Sequence, residues 1–275
     1  MTHSAVDLPL LIEPAQLQPL LGTPNLLLVD LCRPEQYATA HLPGAVFLPF
    51  NQLTRGVPPG PGKLPAENLM SRVMSSIGLT PDTHVVAYDD EGGGWAGRLI
   101  WTLDVIGHKH YSYLNGGLHA WVAENRPLEA GIAMPSPSQY QAKYGTDPIM
   151  TKEDILARLD DPSLAIWDAR SMEEYFGNRE SAMKNGHIPG AVNYEWTRAM
   201  DPHNHLRLRN LDTLRKELAS LGITRDKTIV THCQTHHRSG FTYLVGKILG
   251  FPHMKAYPGS WSEWGNDPKT PVETH

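Results

Sequence analysis

The sequence has only two cysteines in 275 residues, Cys32 and Cys233. Two are too few for the disulfide framework of a small secreted scaffold. The chain also lacks any apolar run of about 18 residues, the length that a membrane-spanning helix requires. Its N-terminus lacks a basic region followed by an apolar core, as a secretion signal would have. We therefore expect a cytoplasmic protein that does not interact with membranes.

The sequence also has no large excess of charge of either sign. The net charge is −5, the hydrophobic fraction is 40% and the charged fraction is 19%. These values are typical of a globular protein without the basic surface that nucleic acid requires. We predict no nucleic-acid partner and a monomer, and the length allows two ordinary domains.

Acidic residues are absent from one long segment, residues 227–262, and Cys233 lies inside it. The same segment carries four lysines or arginines and four histidines: Lys227, Arg238, Lys247, Lys255, His232, His236, His237 and His253. A thiol reacts as its thiolate, and nearby positive charge lowers its pKa. Cys233 is therefore the leading candidate for a reactive residue.

An internal repeat organises the rest of the chain. Residues 29–37 resemble 167–175, 41–46 resemble 187–192, 77–80 resemble 221–224, and 115–121 resemble 258–264. The offset is about 138 to 146 residues, which is the length of a whole domain and not of a short repeat. We predict domains at 1–125 and 151–275, joined by a linker at 126–150 that is rich in proline and serine.

Each copy alternates short apolar runs with helical patterns. Residues 26–30, 84–88, 164–168 and 227–232 have the composition of buried parallel strands. Residues 211–221 place leucines at helical spacing, and Thr151 is a suitable N-cap for another helix. These patterns predict an α/β protein in which each domain is a mainly parallel sheet flanked by helices.

Cys233 directly follows one predicted strand, and residues 240–250 have a helical pattern. Residues 233–239 are therefore predicted to form the loop that leads into a helix N-terminus, where N–H groups favour an anion. Two other interpretations remain open: a small buried structural cysteine, or a metal site with His236 and His237. Adjacent histidines in a tight loop rarely converge on a metal, so we expect none.

The first copy provides an internal comparison. Subtracting 144 places Asp89 opposite Cys233, in a loop that continues with Asp90 and Glu91. This loop has no nucleophile and the opposite charge, so we expect the first copy to be catalytically silent. A divalent-metal site is one interpretation of the three acids, and a solvated turn is the favoured one.

Over nearly its whole length the chain resembles the tandem-domain rhodaneses, and the Cys233 loop resembles the bacterial rhodaneses of the Azotobacter type. Four sequence features carry this resemblance: the Asp-Ala-Arg that ends at Arg170, the motif at 187–192, the Cys233 loop and the segment 259–264. The resemblance implies two rhodanese-like domains and a sulfurtransferase without cofactor. Cys233 would take sulfur from a small-molecule donor such as thiosulfate and pass it to cyanide, a thiol or an acceptor protein.

The resemblance also implies the surrounding site. The loop residues that would bind substrate are Gln234, Thr235, His236, His237, Arg238 and Ser239. We expect Arg170 to bond carbonyls of this loop and hold it rigid, the other interpretation being a surface ion pair. Trp196 belongs either to a donor pocket or to the core.

One departure concerns the donor. Glu174 stands where mammalian members have arginine, and Gln234 and Thr235 replace their other anchors. The donor is therefore open, and a 3-mercaptopyruvate sulfurtransferase and a sulfur carrier or binding module remain as alternatives. A third alternative, from the same fold family, is a dual-specificity phosphatase. Those phosphatases place five residues between cysteine and arginine, whereas Cys233 and Arg238 are separated by four.

We predict negligible phosphatase activity, because a loop one residue shorter is too small for a tetrahedral phosphate. Inserting one residue between Gln234 and Arg238 should lower sulfur transfer by as much as about a hundredfold, since misplaced donors lose most of their effect. Hydrolysis of an aryl phosphate by the wild type should be absent or trivial beside its sulfur transfer from thiosulfate to cyanide. Equal rates in parallel steady-state assays would show that loop length does not select the chemistry.

Overall fold

A computed structural model describes residues 8–275 and divides them into two compact units. The first comprises residues up to Leu53, Pro65–Tyr144 and Asp201–Leu208. The second comprises Thr54–Leu64, Gly145–Met200 and Arg209–His275. Two short segments are exchanged relative to the sequence order. Thr54–Leu64, from the first half of the chain, belongs to the second unit, and Asp201–Leu208, from the second half, belongs to the first unit. The bounds 1–125, 126–150 and 151–275 stay a prediction, and residues 1–7 of the first lie outside the described part.

The first unit contains a five-stranded sheet in the order β1-β5-β4-β2-β3, in which every neighbouring pair is parallel. Its strands are β1 Leu11–Ile12, β2 Leu26–Asp30, β3 Val46–Phe47, β4 His84–Tyr88 and β5 Tyr111–Leu114. Its helices are α1 Pro14–Leu17, α2 Pro34–Thr39, α3 Glu67–Ser76, α4 Gly94–Val105 and α5 Gly117–Ala123, with 3₁₀ turns at Gln18–Leu20 and Phe50–Leu53.

The second unit repeats this plan with a four-stranded parallel sheet in the order β11-β10-β6-β7. Its strands are β6 Leu164–Asp168, β7 Val192–Asn193, β10 Thr228–His232 and β11 Met254–Ala256. Its helices are α6 Lys152–Leu156, α7 Met172–Tyr175, α8 Leu211–Ser220, α9 Arg238–Ile248 and α10 Ser260–Trp264, with a 3₁₀ turn at Trp196–Ala199. In chain order, β8 Met200–Asp201, a 3₁₀ turn at Pro202–Asn204 and β9 Arg207–Leu208 follow β7, and β8 and β9 form a separate two-stranded sheet. Residues Asp201–Leu208 of this segment belong to the first unit.

The predicted α/β class is confirmed, and the apolar runs predicted as strands form β2, β4, β6 and β10. The predicted cap also forms, because the Thr151 hydroxyl accepts the N–H of Asp154 and the Asp154 carboxylate accepts the N–H of Thr151. This reciprocal pair satisfies donors that the first helical turn leaves without partners.

The repeated sequence motifs make equivalent contacts in the two units. His41 Nδ1 bonds the carbonyl of Tyr37 at 2.8 Å and its ring stacks on that tyrosine. His187 Nδ1 bonds the carbonyl of Tyr175 at 2.9 Å with the same stacking. Each histidine also pairs with a later segment, at Glu129 and at Glu273 respectively. The motif therefore packs and closes each domain, and it lies apart from the chemistry of Cys233.

Leucine spacing in α8 has a measurable consequence for stability. Leu218 is fully buried, whereas Leu221, the C-cap of the same helix, is 36% exposed. We expect Leu218→Ala to lower the free energy of unfolding by about 2–5 kcal/mol, because it removes buried methyl groups and leaves a cavity.

Leu221→Ala is the matched control and should cost less than about 1 kcal/mol, since less of its surface is buried. Urea unfolding followed by tryptophan fluorescence measures both. Equal losses would contradict the burial of this helix face.

Candidate active site

Cys233 lies at the carboxyl end of β10 and directly before the turn that enters α9. The turn is shorter than predicted: α9 begins at Arg238, so Arg238 and Ser239 occupy its first turn and the loop is 233–237. The prediction of a loop through 239 was wrong because Gly240 tolerates a helical conformation and the chain reverses earlier, at His236. His236 has a φ of 57°, a left-handed conformation that turns the chain within few residues.

The Cys233 thiol is almost completely buried. Burial alone would raise its pKa, but the Arg238 guanidinium, the hydroxyl and backbone N–H of Ser239 and the His237 side chain together lower it below the ordinary value. The Ser239 hydroxyl donates to the sulfur at 3.4 Å. The arrangement therefore favours a thiolate in a place where water has little access.

The positive charge beside Cys233 is held by a buried carboxylate. Arg238 donates two hydrogen bonds to Glu174, at 2.6 and 2.9 Å. Burial would raise the pKa of Glu174, but Arg238 and the N–H and hydroxyl of Ser171 lower it to about 2. The pair is thus fully ionised near neutral pH, and Glu174 both fixes the guanidinium and offsets part of its charge.

The histidines of the acid-free segment contribute less charge than the sequence suggested. His232 is fully buried, and burial lowers its pKa to about 4, although Asp168 lies 3.6 Å from its Nε2. His236 is also buried, and its Nδ1 bonds the Ser239 hydroxyl at 2.7 Å. Lys255 bonds the carbonyl of Asp147 and so points elsewhere. The electropositive environment therefore depends mainly on Arg238 and His237.

Arg170 lies in the interior, so the surface ion-pair interpretation was wrong. It donates to both carboxylate oxygens of Asp168 and to the Gly186 carbonyl, and its guanidinium lies 4.4 Å from the centre of the Trp261 ring. Among its described bonds, none reaches a carbonyl of the Cys233 loop, which corrects that expectation. The backbone N–H of Trp261 donates to the Cys233 carbonyl, so Arg170 packs against a residue that bonds the loop.

The remaining predicted residues surround the loop. The Gln234 side chain donates to the Ser181 carbonyl at 3.0 Å, so it holds the loop more than it offers a polar group to substrate. Trp196 is half-buried, with its ring 5.7 Å from His237 and 6.1 Å from Phe241. Trp196 and His237 together form an accessible aromatic border to the site.

The first unit contains the same turn with a different anion. The Asp89 carboxylate accepts the N–H groups of Glu91, Gly92, Gly93, Trp95 and Ala96, at 2.8–3.1 Å. Asp89 is fully buried, so the expected solvated turn was wrong for this residue. Its bonds show that a turn of this kind directs several backbone N–H groups at one negative side chain. Free N–H groups at a helix N-terminus favour an anion in the same way.

Neither a metal site nor a second reactive thiol is evident in the described part of the chain. Residues 8–275 contain no group of three or more His, Cys, Asp and Glu side chains that could hold a metal ion. Cys32 belongs to the hydrophobic core of the first unit, and burial together with Asp30 raises its pKa. The two cysteines therefore differ sharply in the stability of their thiolates.

Two site residues were missed by sequence reasoning. Glu174 was noticed only as a departure from a pattern, and its pairing with Arg238 joins positions 64 apart. The Ser260 hydroxyl, at the start of α10, accepts the Cys233 N–H at 3.4 Å. For Glu174, the opposite charge of Arg238 was a weak sequence signal of the pairing. For Ser260, no sequence signal indicated the bond to Cys233.

Comparison with known proteins covers nearly the entire chain. The model of the Rhodanese-like domain matches residues 13–124 and 151–267. A thiosulfate sulfurtransferase of Pseudomonas aeruginosa is 52% identical over 267 residues, or 97% of this chain and 98% of that protein. One from Azotobacter vinelandii is 53% identical with the same coverage. The crystal structure of SseA from Escherichia coli, a 3-mercaptopyruvate sulfotransferase, has a TM-score of 0.82 at 27% identity, covering 92% of this chain and 98% of that one.

The ion pair at Cys233 predicts opposite effects of two substitutions. Arg238→Met should raise the thiol pKa and lower the alkylation rate at pH 7 by roughly tenfold, because one positive charge is lost and Glu174 stays negative. Glu174→Gln should lower the thiol pKa further, since the glutamine oxygen still accepts a hydrogen bond that holds Arg238 in place but carries no negative charge to oppose the thiolate.

Glutamine preserves the reciprocal cap with Ser171, so the helix is expected to remain. Iodoacetamide alkylation of Cys233 as a function of pH measures both changes. A shift in the same direction for both variants would contradict the electrostatic account.

Proposed function

Because this chain belongs to the rhodanese family, we propose that it takes the sulfane sulfur of thiosulfate onto Cys233 and passes it to cyanide or a thiol. The predicted sulfurtransferase activity is confirmed by the near-full-length similarity to thiosulfate sulfurtransferases. Thiosulfate as the donor and the roles of the individual residues are the substance of the proposal.

The observation that carries the proposal is a buried thiol with a lowered pKa at a helix N-terminus. Sulfur transfer needs a thiolate to attack and a place that holds the negative charge of the resulting persulfide. The Ser239 hydroxyl supplies one donor to the sulfur. The equivalent turn at Asp89, with its five N–H donors, supports the role of the loop N–H groups in holding a persulfide.

The reaction proceeds in two displacements at sulfur. The Cys233 thiolate attacks the sulfane sulfur of thiosulfate, an S–S bond forms, and sulfite leaves with the electron pair of the broken bond. Cyanide or a thiolate then attacks the outer sulfur, and the electron pair of the persulfide bond returns to Cys233. In the cyanide case thiocyanate leaves, and no net proton is taken up in either step.

His237 and Trp196 border the approach to the sulfur and form the proposed donor pocket. His236 takes no direct part because it is buried against Ser239. Arg238 is committed to Glu174, so its role is to stabilise the thiolate and persulfide, with substrate anchoring left to the border residues.

The partners proposed with this reaction are small molecules: a sulfur donor and a thiol or cyanide acceptor. An acceptor protein, a monomeric state and a cytoplasmic location are part of the same proposal, the last supported by the scarcity of cysteine. No helix in the described residues is long and apolar enough to span a bilayer.

Cys233→Ala should abolish transfer from thiosulfate to cyanide, with a loss of at least about a thousandfold, because the covalent intermediate cannot form. Cys32→Ala is the matched control and should retain most activity. Mass spectrometry of thiosulfate-treated wild type should show one added sulfur on the peptide that contains Cys233. Transfer by Cys233→Ala, or sulfur found on Cys32, would reject the assignment.

A further inference from the structure

Residues 54–64, here named the strap, lie in the first half of the sequence but belong to the second unit. The strap closes on itself as a turn: Arg55 N–H donates to the Lys63 carbonyl at 2.6 Å, and Gly56 N–H donates to the Pro61 carbonyl at 2.9 Å. Its exposed tip includes Val57, whereas Gly60 and Gly62 are buried. One end of the strap is therefore fixed inside the unit that carries Cys233.

Gly62 is wedged between two backbone segments of the site. A Cβ atom added at Gly62 would lie 2.0 Å from the Thr235 carbonyl oxygen and 2.7 Å from the Pro258 carbonyl oxygen. Thr235 belongs to the Cys233 loop, and Pro258 belongs to the turn that leads to Ser260. Contacts this short with backbone leave no room for any side chain, so the position requires glycine.

Lys63 fastens the next residue of the strap to α10. Its Nζ lies 2.5 Å from Glu263 Oε1, and Glu263 Oε2 accepts the Tyr257 hydroxyl at 3.0 Å. Helix α10 in turn holds the Cys233 loop, because the Trp261 and Ser262 N–H groups donate to the carbonyls of Cys233 and Gln234. The strap and α10 thus hold the loop from two sides.

The loop needs such support because two residues near the sulfur adopt left-handed conformations. His236 has a φ of 57° and Ser260 a φ of 52°. Side-chain residues remain in this region only where their surroundings hold them there. Gly62 contacts the peptide that directly precedes His236 and the turn that directly precedes Ser260.

We propose that Gly62 and Lys63 are positioning residues for the sulfur-transfer reaction: they hold the Cys233 loop in the shape that stabilises its thiolate. The inference rests on the proposed function of Cys233 for its kinetic effect but not for its effect on the thiol. It also assigns a task to the first half of the sequence, which supplies this strap to the catalytic unit.

Gly62→Ala tests the wedge. It should lower kcat/KM for transfer from thiosulfate to cyanide by about tenfold to a hundredfold, because donors displaced by about 1 Å lose most of their effect. It should also raise the apparent pKa of Cys233 in the iodoacetamide pH profile. Val57→Ala at the exposed tip of the strap is the control, because it shortens a strap side chain that is 51% exposed and leaves Gly62 and Lys63 unchanged.

The lysine provides a second, milder test in case Gly62→Ala does not fold. Lys63→Met should lower kcat/KM by about twofold to fivefold, as expected for a partly exposed ion pair, and should raise the thiol pKa. Lys63→Arg should restore both, whereas Val57→Ala at the exposed tip should change neither. The Tm of each variant separates loop displacement from general destabilisation.

The outcomes separate the two proposals. If wild type transfers sulfur and both Gly62→Ala and Lys63→Met match it in kcat/KM and thiol pKa, the positioning role is rejected and the proposed function stands. If wild type does not transfer sulfur but Gly62→Ala still raises the thiol pKa, the proposed function is rejected, and only the positioning of the Cys233 thiol by the strap stands. A Lys63→Arg variant that behaves as Lys63→Met would reject the ion pair as the fastening.

Discussion

A buried thiolate is unfavourable unless donors and positive charge offset the hydration that it loses, and the second unit is arranged around this requirement at Cys233. Arg238 supplies the charge and Ser239 supplies donors. Glu174 keeps the guanidinium in place with two short bonds, although its own charge opposes the thiolate. Without a partner, the long arginine side chain would occupy many rotamers and spend less time beside the sulfur. Fixing the guanidinium therefore offsets the repulsion between Glu174 and the thiolate.

The duplicated turn shows how one backbone serves two purposes. At Asp89 the turn closes permanently on a carboxylate that belongs to the chain, with five N–H donors satisfied at once. At Cys233 the side chain ends one atom earlier, at the sulfur to which the proposed reaction adds a second sulfur. An outer persulfide sulfur would extend from Cys233 about as far as the carboxylate oxygens extend from Asp89. In this proposal the first copy resembles a permanently occupied form of the turn at Cys233.

The repeated histidine motif, at 41–46 and 187–192, carries structure and not chemistry. The histidines at 41 and 187 stack on tyrosines and close each domain in the same way, which explains their presence in both copies. The differences between the copies lie at the carboxyl ends of the central strands, where open parallel sheets expose their loops. The strap adds a further asymmetry, since residues 54–64 fold with the second unit.

The sequence by itself determined the repeat, the α/β class, the strand positions and the choice of Cys233, because these depend on local composition and periodicity. Only the tertiary structure decided which charges act on the thiol. His232 and His236 are neighbours of Cys233 in the chain, yet burial leaves the first neutral and turns the second toward Ser239. Glu174 and Gly62 are remote in the chain but reach the site through parallel-sheet crossovers and the strap. Such long-range pairings follow from packing, and no local pattern encodes them.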